Sequence, residues 1–242
     1  MDDKKLLPSL FIDSALSVTG NHKPLNEDAF KASPNMGLWV VADGMGGYEG
    51  GEIASQLAVT HITRVINEGV SLMEGIQQAH DEICQLAKTQ KGKKGMATTV
   101  VVAKIVENQF EIAWVGDSRA YLFEKGQLKQ LTHDHSFIQT LIDSGHISEQ
   151  QAKIHPQRNL ISQALGGNTP LHIDTITGTI ADGILLLCSD GLSSELSDSK
   201  IAAILAPVNS LSWKADKLVH SVLAREAHDN ITVLLIQNRQ VT

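Results

Sequence analysis

Only two cysteines, Cys84 and Cys188, occur in the 242 residues. That is too few for a disulfide framework, and Cys188 lies in an apolar run where a small core residue is expected. Long hydrophobic runs are missing too: nothing approaches the ~20 apolar residues of a membrane span. The start, Met1-Asp2-Asp3-Lys4-Lys5, leads into an apolar stretch cut at Pro8, too short for a secretory leader. A reduced, cytoplasmic setting with no membrane partner is expected. Positive charge is in deficit, with 20 Lys and Arg against 27 Asp and Glu for a net charge of -7. Nucleic acid would require a basic face, so none is expected as a partner. The basic cluster at Lys88, Lys91, Lys93 and Lys94, interrupted by Gly92, reads as a solvated connection between a helix and a strand.

No linker rich in Pro, Gly or Ser divides the chain, and no repeat or low-complexity tract is present. Several chemistries are also missing. A cysteine phosphatase needs Arg six positions after its Cys, but Gln90 and Ser194 stand there. The nucleotide phosphate loop, the zinc-protease helix and the serine-hydrolase elbow have no match. Gly44, Gly46 and Gly47 fail the dinucleotide spacing because Glu49 occupies the further glycine position. Among the ten histidines, His133 and His135 stand two apart but lack a third convergent His or Cys, so zinc is disfavoured.

What remains is an ordinary globular composition, 42% hydrophobic and 19% charged. Apolar residues recur at helical spacing over 50–68 and 70–89, the first ending at Gly69. Runs over 97–106 and 109–115, joined at Glu107-Asn108, predict a hairpin, and Lys125-Gly126 predicts another turn. Helical and loop patterns follow over 134–166, then strands at 171–177, 184–188 and 231–236, with helices near 198–205 and 212–227. Strands pair consecutively and helices are grouped, which favours an α+β layered fold with antiparallel sheets.

Five aspartates stand beside a glycine, an asparagine or a small residue, several at apparent strand ends: Asp28, Asp43, Asp117, Asp190 and Asp229. A carboxylate at the mouth of a buried strand is costly unless it stays wet or binds a cation. Five from distant segments suggest one site assembled by folding, and hard divalent cations suit all-oxygen sites. Singly, each Asp-Gly or Asp-Asn pair is an ordinary turn former. Asp43-Gly44-Met45-Gly46-Gly47 after an apolar run is more specific, because glycine lets a backbone carbonyl approach a cation.

The series of motifs resembles the metal-dependent serine/threonine protein phosphatases of type 2C, in their short bacterial form. The resemblance covers about 17–236 and rests on segments 20–28, 43–47, 95–99, 115–119, 131–136, 155–166, Ser189-Asp190-Gly191 and Asp229-Asn230. It implies one catalytic domain over 1–242, a four-layer α-β-β-α sandwich of two antiparallel sheets flanked by helices, with a flap roughly at 136–166. It further implies two Mn²⁺ or Mg²⁺ ions, with a weaker third. Asp43 would bridge the pair, the Gly44 carbonyl would ligate one ion, and Asp190 and Asp229 would complete the other. Asp28, with Glu27, would hold metal-bound waters or back the ligands, as would Asn230, and Asp117 would join Asp190 at the third ion.

Two cations ~3.5–4 Å apart acidify water and offset charge on a phosphoryl group, so direct hydrolysis of phosphoserine or phosphothreonine is the implied activity. Lys23 stands where the family usually has a phosphate-gripping Arg, and a lysine offers a point charge rather than a planar fork. Met45 and Tyr48 stand where some relatives carry histidines, so no side-chain general acid is assigned. The implied partners are phosphorylated proteins and an opposing bacterial Ser/Thr kinase. The Asn-Glu-Asp-Ala and Asp-Gly-Met-Gly-Gly-Tyr forms resemble phosphatases beside type VI secretion kinases. A monomer is expected. Two rival readings are a catalytically silent phosphoprotein-binding module on the same scaffold and a two-metal hydrolase of small phosphoesters.

Overall fold

The computed structural model describes residues 10–46, 50–89 and 95–239. Along the chain the strands are β1 (Phe11–Val18), β2 (Asp28–Ser33), β3 (Leu38–Met45), β4 (Ala97–Thr98), β5 (Val100–Val106), β6 (Gln109–Val115), β7 (Arg119–Glu124), β8 (Gln127–Gln130), β9 (Asp174–Thr179), β10 (Ile184–Cys188) and β11 (Ile231–Asn238). The helices are α1 (Gly50–Asn67), α2 (Leu72–Thr89), α3 (Phe137–Asp143), α4 (Glu149–Ala152), α5 (Asp190–Ser193), α6 (Asp198–Leu205) and α7 (Leu211–Leu223). One sheet runs β1-β11-β10-β7-β8 and the other β2-β3-β5-β6-β9, with β4 on the end of β3. Every ladder is antiparallel.

Central strands read as unbroken apolar runs because both of their faces are covered. On β3, Leu38, Val40 and Ala42 pack beneath α1 and α2 with Ala58, Ile62, Ile76 and Ile83. The intervening Trp39 and Val41, with Val101 and Ile112 of the same sheet, face the other sheet, where Leu185, Leu187 and Leu234 meet them. Leu186, Cys188, Val233 and Leu235 in turn lie beneath α6 and α7, against Ile201, Leu205, Leu218 and Val222. Period-two alternation therefore divides each strand between two apolar layers instead of between core and water. The outcome is the α-β-β-α sandwich the sequence implies. Cys188 is fully buried, as its apolar run suggests.

Some boundaries differ from expectation. The first two strands carry no strong sequence signal: β1 is an edge strand, mostly half-buried, ordered by an eight-residue register with β11 at the far end of the chain. The run expected at 97–106 breaks at Thr99, whose N–H donates to the Asp43 carbonyl at 2.8 Å instead of continuing a ladder. The strand expected from 171 begins at Asp174, and the last helix stops at Leu223. Lys88 lies in the last turn of α2, whereas Lys91, Lys93 and Lys94 lie outside the described residues.

Candidate active site

Two carboxylates come together through strand register. Asp28 opens β2 and is the cross-strand partner of Asp43 near the end of β3, so both side chains leave the same face, and like charges placed so repel. Backbone hydrogen bonds fix Asp43 on both sides. Its N–H donates to Thr99 Oγ1 at 3.1 Å, and its carbonyl accepts from Thr98 Oγ1 at 2.9 Å and from the Thr99 N–H at 2.8 Å.

The second sheet supplies the other acids. Because β10 and β11 are antiparallel neighbours, the exit of β10 at Asp190 and the entry to β11 at Asp229 lie side by side. Asp28 ties the two sheets together at this end: its Oδ2 accepts from Ser189 Oγ at 2.8 Å and Thr232 Oγ1 at 2.6 Å. Asn230 braces the opposite wall, donating from Nδ2 to the Leu25 carbonyl at 3.0 Å and accepting the Glu27 N–H at 2.9 Å. Asp117 sits in the turn between β6 and β7. Next to it, Ser118 Oγ shares a 2.7 Å hydrogen bond with Thr99 Oγ1. Asp117 is thereby tied to the support of Asp43.

A cleft of about 260 Å³ opens between these elements, lined by Lys23, Glu27, Asp43, Gly44, Asp117, Asp190 and Asp229. Asp28 and Asn230 stand behind that lining. Gly44 is glycine for steric reasons, since a Cβ there would lie 2.2 Å from the Gly51 carbonyl oxygen and 2.5 Å from that of Glu27. Lys23 Nζ reaches Asp229 Oδ1 at 2.7 Å. Burial pulls its ammonium pKa down, but the Asp229 hydrogen bond and the charges of Asp229, Asp43 and Glu27 outweigh this and leave it raised.

The electrostatics are those of a charge deficit. Burial, together with repulsion from Asp190 and Asp229, pushes Asp28 up to about 7 despite its two hydroxyl donors. Burial and then Asp229 push Asp190 up to about 6. Asp43 and Asp117 are raised well above the ordinary carboxylate range, by burial first and neighbouring aspartates next. The other nearby cation, Arg119, is engaged elsewhere, paired with Asp134 at 2.6 Å. Oδ1 of Asp28 and Oδ1 of Asp190 are buried with no hydrogen-bond partner among the described residues. Orphaned oxygen acceptors amid mutually repelling carboxylates fit a hard divalent cation. Among the described residues, no three of these groups already close around one point. The acids form a ring about the cleft instead of a finished cage.

Three lining residues were not singled out individually, although they fall in the segments 95–99 and 155–166 that carry the resemblance. Asn159 and Ile161 line the cleft because the 136–166 segment folds back, with Ser136 bridged to Ile161 and the Phe137 N–H on the Leu160 carbonyl at 2.8 Å. Thr99 also lines it. Its signal was the interruption of an apolar run by paired threonines. His133 and His135 turn to separate carboxylates, Asp143 and Asp174, so they do not form a zinc pair. Met45 faces the cleft, and Gly47 and Tyr48 lie outside the described residues.

Comparison with known proteins agrees with this architecture. The family model described as Protein phosphatase 2C matches residues 21–225. A serine/threonine phosphatase stp of Listeria welshimeri is 36% identical over 228 residues, covering 90% of each chain. The structure of PppA, a regulatory component of the type VI secretion system in Pseudomonas aeruginosa, superposes with a TM-score of 0.84 at 32% identity, over 95% of this chain and 98% of that one. The catalytic domain of the serine threonine protein phosphatase PstP, in complex with two manganese ions, superposes with a TM-score of 0.84 at 30% identity, over 94% and 97%.

Proposed function

Because this chain belongs to the protein phosphatase 2C family and is a protein phosphatase, we propose that its acidic cleft holds divalent cations, Mn²⁺ or Mg²⁺, and hydrolyses phosphoserine and phosphothreonine monoesters. The observation that carries this reading is the pair of orphaned buried oxygens, Asp28 Oδ1 and Asp190 Oδ1, within a ring of carboxylates whose charge Lys23 offsets only in part. The manganese-bound PstP relative supports the choice of ion.

Asp43, the Gly44 carbonyl, Asp190 and Asp229 would hold the ion pair, and Asp117 with Asp190 a third ion. When bound, such ions supply positive charge for phosphoryl oxygens and lower the pKa of water. The remaining work falls to this chain's own groups. Asp28, clamped by Ser189 and Thr232, fixes the face from which Asp43 projects. Glu27 and Asn230 brace the wall carrying Asp229. Lys23 borders the cleft and orients the substrate phosphate as a point charge. Asn159 and Ile161 cover the cleft from the flap side and limit its exposure to bulk water.

The substrates in this reading are phosphoproteins, opposed by a bacterial Ser/Thr kinase. The type VI secretion system is one candidate setting, supported by the likeness to PppA. Among the described residues no helix is long and apolar enough to cross a membrane. A reduced, cytoplasmic setting is part of this proposal, and Cys84 and Cys188 are both free thiols. The test is hydrolysis of para-nitrophenyl phosphate and a phosphopeptide panel, with Mn²⁺ and with EDTA. Activity should appear with Mn²⁺ and vanish in chelator. Full turnover in EDTA defeats the reading, and binding without turnover identifies a silent recognition module.

A further inference from the structure

His135 is almost entirely buried, at 8% exposure, and every polar atom it owns is engaged. Its backbone N–H donates to the Gly116 carbonyl at 2.9 Å, and its own carbonyl accepts from the Ser162 N–H at 2.8 Å. The ring Nδ1 accepts the Gly116 N–H at 3.2 Å. Its proton therefore sits on Nε2 and is donated to Asp174 Oδ2 at 3.1 Å. The Trp114 ring stacks on one side, with centroids 6.3 Å apart. The other Asp174 oxygen is held by His172 Nε2 at 2.9 Å.

These contacts join two parts of the site, the turn at Gly116 and Asp117 and the returning segment at 161–162. Gly116 immediately precedes Asp117, and its φ of 105° keeps it in the left-handed half of conformational space. Ser162 follows Ile161, which bridges to Ser136 and lines the cleft. The geometry points to His135, oriented by Asp174, as a positioning residue that couples the flap to the carboxylate of Asp117. Motion of the returning segment at 161–162 pulls on the His135 carbonyl, and the same residue grips Gly116 through both its backbone and its ring. This inference rests on the phosphatase reading above for its catalytic consequence, but not for its structural one.

The experiment is amide hydrogen exchange on metal-free protein in EDTA, alongside steady-state kinetics with Mn²⁺ and para-nitrophenyl phosphate. His135→Ala and Asp174→Ala should speed exchange at Gly116 and across 157–165 by about tenfold, while amides of α6 and α7 keep wild-type protection. Both variants should lower kcat by about tenfold with KM changed less than about twofold, since misplacement costs rate more than binding. In His135→Asn, Oδ1 takes the place of Nδ1, so protection of Gly116 should return while that at 157–165 stays low. Should His135→Ala fail to fold, the half-exposed Asp174→Ala gives the same readout. Wild-type exchange at Gly116 and the flap in both variants overturns the coupling, as does equal acceleration at every amide. If exchange changes as expected but wild type shows no turnover, the coupling stands and the phosphatase reading falls.

Discussion

Removing the charge of Asp190 should stabilise the metal-free protein while destroying its activity. Asp190 is pushed from 3.8 up to about 6 by burial and then by repulsion from Asp229. That distance corresponds to about 3 kcal/mol of differential interaction between the two protonation states. The unfolded carboxyl ionises near 3.8 and the folded one near 6. The folded chain therefore binds the extra proton in between, and stability falls as pH rises through that window. The penalty is absent below about pH 4 and complete above about pH 6. Asp190→Asn cannot ionise, so its advantage over wild type should be negligible at about pH 4 and reach up to about 3 kcal/mol at about pH 8. For a chain of this size that is a rise in Tm of about 6–12 °C. Melting curves by circular dichroism in EDTA at the two pH values measure it. Added Mn²⁺ should invert the order, because wild type gains binding free energy that the variant forgoes. If Asp190→Asn melts at or below wild type at pH 8 in EDTA, or gains equally at pH 4, burial and the neighbouring aspartates do not penalise this charge and the cation site loses its basis.

Two further outcomes follow from single side chains. Gly191→Ala would place a Cβ 1.9 Å from the Asn230 carbonyl oxygen. The backbone must separate there, at a cost of about 2–3 kcal/mol, and a Tm unchanged within about 1 °C would show that the contact can relax freely. Lys23→Arg should lower KM for a phosphopeptide by about threefold through bidentate phosphate contact, and an unchanged or higher KM would remove Lys23 from phosphate binding.

Much of the sandwich could be read from local pattern. The runs that became β3, β5, β6, β10 and β11 are predominantly apolar, and helical spacing marks α1 and α2. What local pattern missed shares one property. The first strand has little β-forming character and owes its order to β11, as with Val18 opposite Ile231. The second begins at an aspartate and is recruited by β3. Asn159 and Ile161 lie in a polar stretch whose return across the cleft depends on the bridge to Ser136.

Residue order alone placed acids at the ends of buried strands and glycines where backbone must approach backbone, since burial and steric exclusion act on each segment separately. The fold decided which oxygens would be satisfied and which left bare. Asp28 Oδ2 meets hydroxyls 161 and 204 positions away, while its other oxygen meets none among the described residues. Hydrogen bonding and charge repulsion depend on distance in space, and only the packing of one sheet on the other sets that distance.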